Sequence, residues 1–378
     1  MIALRGVEGM ALCRFLHTAD IHLSRPFGFL PPQLAEERRH DQRKTLTRIV
    51  DLALEREVDL VLIAGDLFDS PDPDPTDIEA VTREFSRLAE AGKRIFIIPG
   101  NHDYASPGSF WHHMAAEGLH IFLDTEWKTI VLDDLGVSIS GIAFHRAKSE
   151  RRALEGFERV GDMPSIVMVH ASYEMYEGVL DRYHPFSASE LSAVDASYIA
   201  LGHYHRHNPI PCGSVTACYP GTPEGISFDQ SEVEDRFVVI GEVEDDGRVN
   251  LEPVKVNRRT MRAAEIDCTS FDSQTGLFDA VRKFCEANVL LQLKLTGTSN
   301  STVDSAVQEI PERFRDSCFY MTLNSDLSLP SDLEADDRTI RGRFCRHLLT
   351  QIEEAPDPER RRVLRRALEL GMASFSDK

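Results

Sequence analysis

The sequence predicts a layered α/β domain, followed by a small α+β domain and two terminal helices. Three observations carry this reading. Short apolar runs of strand length alternate with helical stretches over the first hundred residues. From Trp127 the strands come closer together, with fewer long helices between them. Around Arg258 the composition changes again and a second β-α-β-α-β series begins.

Leu12–Leu16 reads as the first strand. Gln33–Arg56 reads as a helix, with Leu34, Leu46, Ile49, Val50, Ala53 and Leu54 at helical spacing. Leu60–Ala64 is an unbroken apolar run of buried-strand length, Asp77–Ala91 is helical, and Ile95–Ile98 is another buried strand. Thr129–Leu132, Val137–Ile142, Ile166–Val169 and Tyr198–Leu201 are short strands. Phe237–Val243 and Val249–Val256 are two more, joined by the turn Asp245-Asp246-Gly247. A second sheet packed against the first is expected to accommodate this later group. Residues 1–10 read as a loose N-terminal tail, lacking the apolar segment of a signal peptide. Residues 11–257 form the large domain and 258–323 the small one, with strands at Ala263–Asp267, Leu290–Leu295 and Phe319–Leu323 and helices at Gly276–Glu286 and Val303–Phe314. Residues 324–337, rich in Ser, Asp and Pro, read as a linker. Residues 338–378 form a helical hairpin, Arg338–Glu354 and Pro358–Ser374, broken at Ala355-Pro356-Asp357-Pro358.

The formal net charge of -20 argues against a chain that grips nucleic acid along a broad basic face. Cations bound among its carboxylates, or a basic partner protein, would soften that objection. No apolar run approaches the roughly 18 residues of a membrane span. The cysteines (Cys13, Cys212, Cys218, Cys268, Cys285, Cys318, Cys345) are scattered and odd in number, with no CxxC. Reduced thiols in a cytoplasmic protein are the expectation.

Five short motifs carry the chemistry: Asp20-Ile21-His22, Gly65-Asp66, Gly100-Asn101-His102-Asp103, His170, and Gly202-His203-Tyr204-His205. Most follow a strand-like run directly, so their side chains converge on one crevice at the carboxyl ends of the strands. Mixed carboxylate, amide and imidazole ligands suit divalent metals. Asp66 is placed to bridge two cations at the separation of roughly 3.5–4 Å usual in two-metal hydrolases, which share a hydroxide for in-line attack on phosphate. Any one of these motifs alone is an ordinary turn or loop residue; five in this order are not.

The series Asp-x-His, Gly-Asp, Gly-Asn-His-Asp, His, Gly-His-x-His resembles the calcineurin-like metallophosphoesterase signature, with no ligand substituted. The resemblance implies a four-layer α/β/β/α sandwich. It assigns Asp20, His22, Asp66 and His205 to one metal, and Asp66, Asn101, His170 and His203 to the other. His102 would contact the scissile phosphate and assist the leaving oxygen, and Asp103 would orient His102 from behind. His17-Thr-Ala-Asp-Ile-His22-Leu, Gly65-Asp-Leu-Phe-Asp69 and Tyr219-Pro-Gly-Thr-Pro223 are similar to the SbcD/YhaO group of DNA repair exonucleases, with Thr222 where serine is usual. The likeness is specific over about residues 11–245 and architectural beyond. It implies two divalent ions, Mn²⁺ first with Fe, Zn or Mg as alternatives, a DNA substrate, a capping role for the small domain, and an SbcC-type coiled-coil ATPase partner. No membrane partner is expected, given the absence of a long apolar run, and a homodimer is left open.

The alternatives are a small-molecule or cyclic-nucleotide phosphodiesterase or phosphatase, which the same ligands would serve, and a non-catalytic metal-binding scaffold. In the terminal hairpin, Phe344, Leu348, Leu349 and Ile352 share one face, as do Val363, Leu364, Ala367, Leu368 and Met372. Arg360, Arg361, Arg362, Arg365 and Arg366 form a basic cluster. These helices either fold back on their own domain, or offer a docking surface for the ATPase partner or a basic contact to DNA phosphates. Arg25, Phe27, Tyr104, Tyr173 and Arg206 lie near enough to the motifs to meet a DNA strand. His17, His112, His113, His120, His145, His184 and His207 fall outside the five motifs and are expected not to be ligands.

Overall fold

A computed structural model describes residues 10–174, 183–213, 215–328 and 339–376. Most of the expected N-terminal tail and most of the expected linker therefore lie outside the described residues. The chain divides into two compact units, Met1–Thr260 and Met261–Lys378.

The first unit runs β1 (Ala11–Thr18), α1 (Pro32–Glu55), β2 (Leu60–Ala64), α2 (Pro75–Glu90), β3 (Arg94–Ile98), β4 (Leu119–Ile121), β5 (Lys128–Leu132), β6 (Val137–Gly141), β7 (Ser165–His170), α3 (Ala188–Ala193), β8 (Tyr198–Gly202), β9 (Asn208–Cys212), β10 (Val215–Tyr219), β11 (Phe237–Glu244) and β12 (Val249–Lys255). Two six-stranded sheets result, ordered β12-β11-β1-β2-β3-β4 and β5-β6-β7-β8-β10-β9. β1 to β4 are parallel, as are β6, β7 and β8.

The apolar runs of β2 and β3 are continuous because both their faces are buried. Leu60, Leu62, Ala64, Phe96 and Ile98 point into the layer between the sheets, where they meet Val137, Ile139, Ile166, Met168, Tyr198 and Ala200. Val61, Ile63, Ile95 and Ile97 point the other way, onto Leu46, Ile49, Val50 and Ala53 of α1 and Val81, Phe85 and Leu88 of α2. Beyond the second sheet, Val167, Val169, Ile199 and Leu201 pack under Leu191 of α3 and under Ala153, Leu154 and Phe186 of irregular chain. The layers are therefore α/β/β/α, the last being a short helix with irregular chain.

Three features depart from the sequence expectation. β11 and β12 join the first sheet, not the second: β11 pairs antiparallel with β1, Gly241 lying opposite Phe15. A side chain at Gly241 would collide with the Phe15 ring, so this glycine admits the pairing. β9 carries Pro209 and Pro211, which disguise it as a loop. It sits at a sheet edge, where a strand needs hydrogen bonds on one side only. β10 and the three-residue β4 were also unforeseen.

The N-terminal half of α1 buries polar groups, and they brace the chain around the strand ends. Gln42 Nε2 donates to the carbonyls of Ile21 (3.2 Å) and His22 (2.9 Å). Fully buried Glu224 accepts from Arg38 Nη1 (2.7 Å), Thr45 Oγ1 (2.8 Å) and the backbone N–H groups of Arg258 (2.8 Å) and Arg259 (3.0 Å).

The second unit continues from β13 (Thr260–Asp267) through α4 (Gln274–Arg282), β14 (Val289–Thr296), α5 (Ser301–Arg313), β15 (Tyr320–Ser325), α6 (Ile340–Glu354) and α7 (Pro358–Ser376). β13-β14-β15 form one sheet around its own core of Leu277, Val281, Leu291, Leu293 and Ile310. α6 and α7 meet through Cys345, Leu348, Ile352 and Leu368. Val363 lies off that seam and is 59% exposed, so the apolar face of α7 is narrower than its sequence suggested. Among the described residues no helix is long and apolar enough to cross a membrane, and all seven cysteines are free.

Glu224→Ala leaves the buried Arg38 guanidinium without its main partner. Breaking a buried pair from one side costs about 3–5 kcal/mol. The variant should show a matching loss in the urea midpoint of the transition that unfolds the first unit.

Candidate metal centre

The seven expected ligands and His102 come together where the ends of β1, β2 and β3 meet those of β7 and β8. The approach is close. His170 Nδ1–H, at the end of β7 in one sheet, donates to the Ala64 carbonyl at the end of β2 in the other (2.9 Å). A Cβ on Gly202 would stand 1.9 Å from that carbonyl oxygen, and one on Gly100 would stand 2.2 Å from Asp66 Oδ1. Neither glycine has a positive φ, so what matters there is the missing side chain. Gly65 combines both demands, with φ +92° and a Cβ position 2.3 Å from His170 Nδ1.

Asp20, His22, Asp66 and His203 adopt positive φ values of 52°, 51°, 51° and 105°. Such non-glycine strain persists only when surrounding bonds over-determine it. Here the Asp20 N–H donates to Gly65 O (3.1 Å) and the His22 N–H to Asp66 O (3.0 Å), zipping the first two motif loops together. The His203 N–H donates to the Asp20 carboxylate (3.0 Å), and the His102 N–H to Asp66 Oδ1 (2.8 Å).

The side chains form a cluster of lone pairs. His22 Nδ1 donates to Asp69 Oδ1 (3.0 Å) and His205 Nδ1 to Glu232 Oε1 (2.8 Å), so each imidazole presents its Nε2 as an acceptor. Those two Nε2 atoms lie 3.2 Å apart. His170, whose Nδ1 proton is committed to Ala64, turns Nε2 toward Asp66 Oδ2 (3.2 Å) and Asn101 Oδ1 (3.0 Å). Asn101 Oδ1 also faces His203 Nδ1 (3.0 Å). Only a proton or a cation reconciles acceptors at these distances. The groupings Asp20–His22–His205 and Asp20–Asp66–His170 each hold ligand atoms within 4.8 Å of one another. The donor set and its arrangement fit divalent metal ions.

The electrostatics agree. Burial drives the His170 pKa down, but the Asp66 carboxylate more than offsets it, and His170 is pushed up to about 9. Asp66 shows the reciprocal effect: burial raises it, and His170 with His22 and His102 holds it well below the usual carboxylate range. Burial and the neighbouring His170 drive His203 well down.

His102 is the most open of the set, its side chain 40% exposed. Its expected support from Asp103 is not what the structure forms. The Asp103 carboxylate is fully buried and accepts from the Gly100 N–H (2.7 Å) and the Phe68 N–H (3.1 Å), so it braces the loops after β2 and β3. His102 Nδ1 instead donates to the backbone carbonyl of Asp69 (3.3 Å). Asp69 thus holds two site histidines, with its carboxylate on His22 and its carbonyl on His102. Asp69 and Glu232 are the residues that motif reading missed. Asp69 closes the Gly65–Asp69 block and could have been weighed, whereas Glu232, 27 residues past His205, gave no signal.

Among the flanking residues, Arg25 is ion-paired with Asp69 (2.9 Å). Phe27 is buried beneath the Arg38 guanidinium and is closed to any strand of DNA. Tyr173 stacks on Phe186. Of the other histidines, His17 donates to or accepts from Tyr198 Oη (2.8 Å) in the core, and His184 stacks on Phe144.

Gly202→Ala forces the two strand ends apart. Overpacking at such a contact costs about 1–3 kcal/mol. The variant should melt at lower temperature and lose bound divalent metal, measured by elemental analysis, because His170 and His203 flank the displaced residue.

Residues 13–207 match the family described as calcineurin-like phosphoesterase. The metallophosphoesterase YhaO of Bacillus subtilis is 29% identical over 276 residues, 71% of this chain and 66% of that protein. The DNA double-strand break repair protein Mre11 of Aeropyrum pernix is 26% identical, covering 67% of this chain and 63% of its own length. The SbcD component of the nuclease SbcCD of B. subtilis is 26% identical, covering 58% and 63%. The chain thus spans slightly under two thirds of each of these relatives. With its two packed sheets, its strand-end crevice and the matched residues, this chain belongs to the calcineurin-like phosphoesterase family.

Proposed function

We propose that this chain is a metal-dependent phosphodiesterase that cleaves DNA, the exonuclease or endonuclease component of a cytoplasmic repair assembly. The observation that carries the reading is the crevice of facing acceptors, in which His22 and His205 present Nε2 atoms 3.2 Å apart with both Nδ1 protons committed elsewhere. Asp20, His22, Asp66 and His205 would hold one cation, and Asp66, Asn101, His170 and His203 a second. Divalent ions bound there supply Lewis-acid polarisation of the phosphoryl group and a nucleophile at neutral pH. Mn²⁺ is the leading candidate, with Fe, Zn or Mg as alternatives, since carboxylate and imidazole ligands accept all of them.

The protein's own groups do the rest. With Nδ1 on the Asp69 carbonyl, His102 keeps Nε2 for the substrate, where it stabilises or protonates the leaving oxygen. Asp103 keeps the loop beneath His102 in place. Asp69 and Glu232 fix the tautomer and ring orientation of His22 and His205, as carboxylates behind metal-binding histidines do. DNA as substrate is supported by the likeness to a nuclease and to a DNA break repair protein, and by the second unit beyond the matched region. An SbcC-type coiled-coil ATPase is the partner this reading calls for, with the α6–α7 hairpin as its docking element. A small-molecule phosphodiesterase is the second reading, favoured by the net charge of -20.

Purified protein with Mn²⁺ should cleave linear duplex or single-stranded DNA in preference to small phosphate esters; the opposite preference would select the second reading. His102→Ala should lower cleavage by about 10²–10⁴-fold, the usual worth of general acid–base assistance, with circular dichroism unchanged. Glu232→Ala should weaken Mn²⁺ binding about 10–100-fold by calorimetry, because His205 loses the carboxylate that orients it.

A further inference from the structure

A cavity of about 740 Å³ opens beside the crevice, with His203 and His205 on its wall and Tyr204, Arg206, Ser227 and Ser231 around it. We propose that it is a nucleotide subsite, holding the phosphate and base next to the scissile phosphodiester through Arg206 and Tyr204. The inference rests on the phosphodiesterase reading and deepens it: the substrate is a strand with at least one nucleotide beyond the bond that breaks.

Arg206 is the reason. The first unit is densely ion-paired, and among its described arginines only Arg146, Arg206 and Arg236 lack a carboxylate partner within salt-bridge distance. Arg236 is 3% exposed and donates to the carbonyls of His205 (2.6 Å) and Ser231 (2.8 Å). Burial pulls its pKa down, Glu232 offsets part of that, and the Arg206 charge adds to the lowering. Arg206 is exposed and forms no hydrogen bond or ion pair with any described residue. An exposed guanidinium beside the metal centre, with no carboxylate partner among the described residues, has its fork of donors open to a phosphate.

The cavity's carboxylates do not cancel it. Glu232 is committed to His205 and to the Ile226 and Ser227 N–H groups, and Asp229 accepts from the Ser231 N–H and hydroxyl. Tyr204 is held edge-on against Tyr219 (5.1 Å), giving the cavity a braced aromatic ring on which a base can stack. The volume falls within the range of about 300–1,000 Å³ that small-ligand pockets occupy.

The test uses the full chain as wild type, Arg206→Ala, Arg206→Lys and, as a charge control on the outer part of α1, Arg48→Ala. Binding of a fluorescent single-stranded oligonucleotide is read by anisotropy in EDTA over a salt series. Hydrolysis of the same strand and of bis(p-nitrophenyl) phosphate is read with Mn²⁺. Arg206→Ala should bind the strand about tenfold more weakly, as expected for one charge-assisted contact. Its salt slope should fall by about 0.7, one phosphate contact on a single strand. KM for the strand should rise about tenfold with kcat held within about twofold, and the loss on the one-phosphate ester should be smaller. Arg206→Lys should keep the slope and part of the affinity, and Arg48→Ala should match wild type. The subsite is overturned if wild type does not bind the strand, if Arg206→Ala keeps affinity and slope, or if Arg48→Ala loses as much. Strand binding that depends on Arg206, with turnover of the small ester alone, would overturn the nuclease reading and keep the subsite. DNA cleavage indifferent to Arg206 would do the reverse.

Discussion

The hydrogen bond from His170 to the Ala64 carbonyl joins the two sheets at the point where their parallel strands end. It can form only because no side chain stands at Gly65 or Gly202, where a Cβ would lie 2.3 Å from His170 Nδ1 and 1.9 Å from the Ala64 carbonyl oxygen. The bond also uses the Nδ1 proton of His170 and so turns Nε2 toward Asp66 and Asn101. One packing constraint thereby sets both the architecture and the chemistry. The sheets meet closely enough to share a site, and the site that results is made of acceptors.

Around that contact the backbone is held in conformations it would not choose alone. Positive φ angles at Asp20, His22, Asp66 and His203 are maintained by bonds between loops far apart in sequence. Gln42 of α1 holds the carbonyls of Ile21 and His22, while Glu224 ties α1 to the backbone at Arg258 and Arg259. A side chain in such a lattice cannot swing to satisfy its own hydrogen bonds, so acceptors remain face to face. That rigidity prepares a binding site for charge at the expense of local stability.

Much of the fold was legible because buried parallel strands have a plain signature. Leu60–Ala64 reads as a strand because alternate side chains enter two different cores, which leaves no polar position in the run. The partner of a strand is another matter. Phe237–Glu244 has the composition of either sheet, and its place beside β1 depends on the fit of Gly241 against Phe15, a contact across more than two hundred residues. The prolines of β9 hid a strand that only its edge position permits. On α7, helical spacing put Val363 in the apolar face, yet α6 covers too narrow a stripe to bury it.

The same division holds within the site. By itself the sequence determined which residues gather there, because their types and their places after strand ends are local properties, and local properties survive in a string of letters. The mix of carboxylate, amide and imidazole groups at the strand ends was legible for the same reason. Only the tertiary structure decided which group supports which. Asp103, adjacent to His102, turns away to brace Gly100 and Phe68, while Asp69 and distant Glu232 take the supporting roles. It alone decided that Arg206 has no counter-ion among the described residues. Hydrogen bonding and charge pairing depend on distances of about three ångströms, and those are set by how two sheets pack, which sequence proximity does not encode.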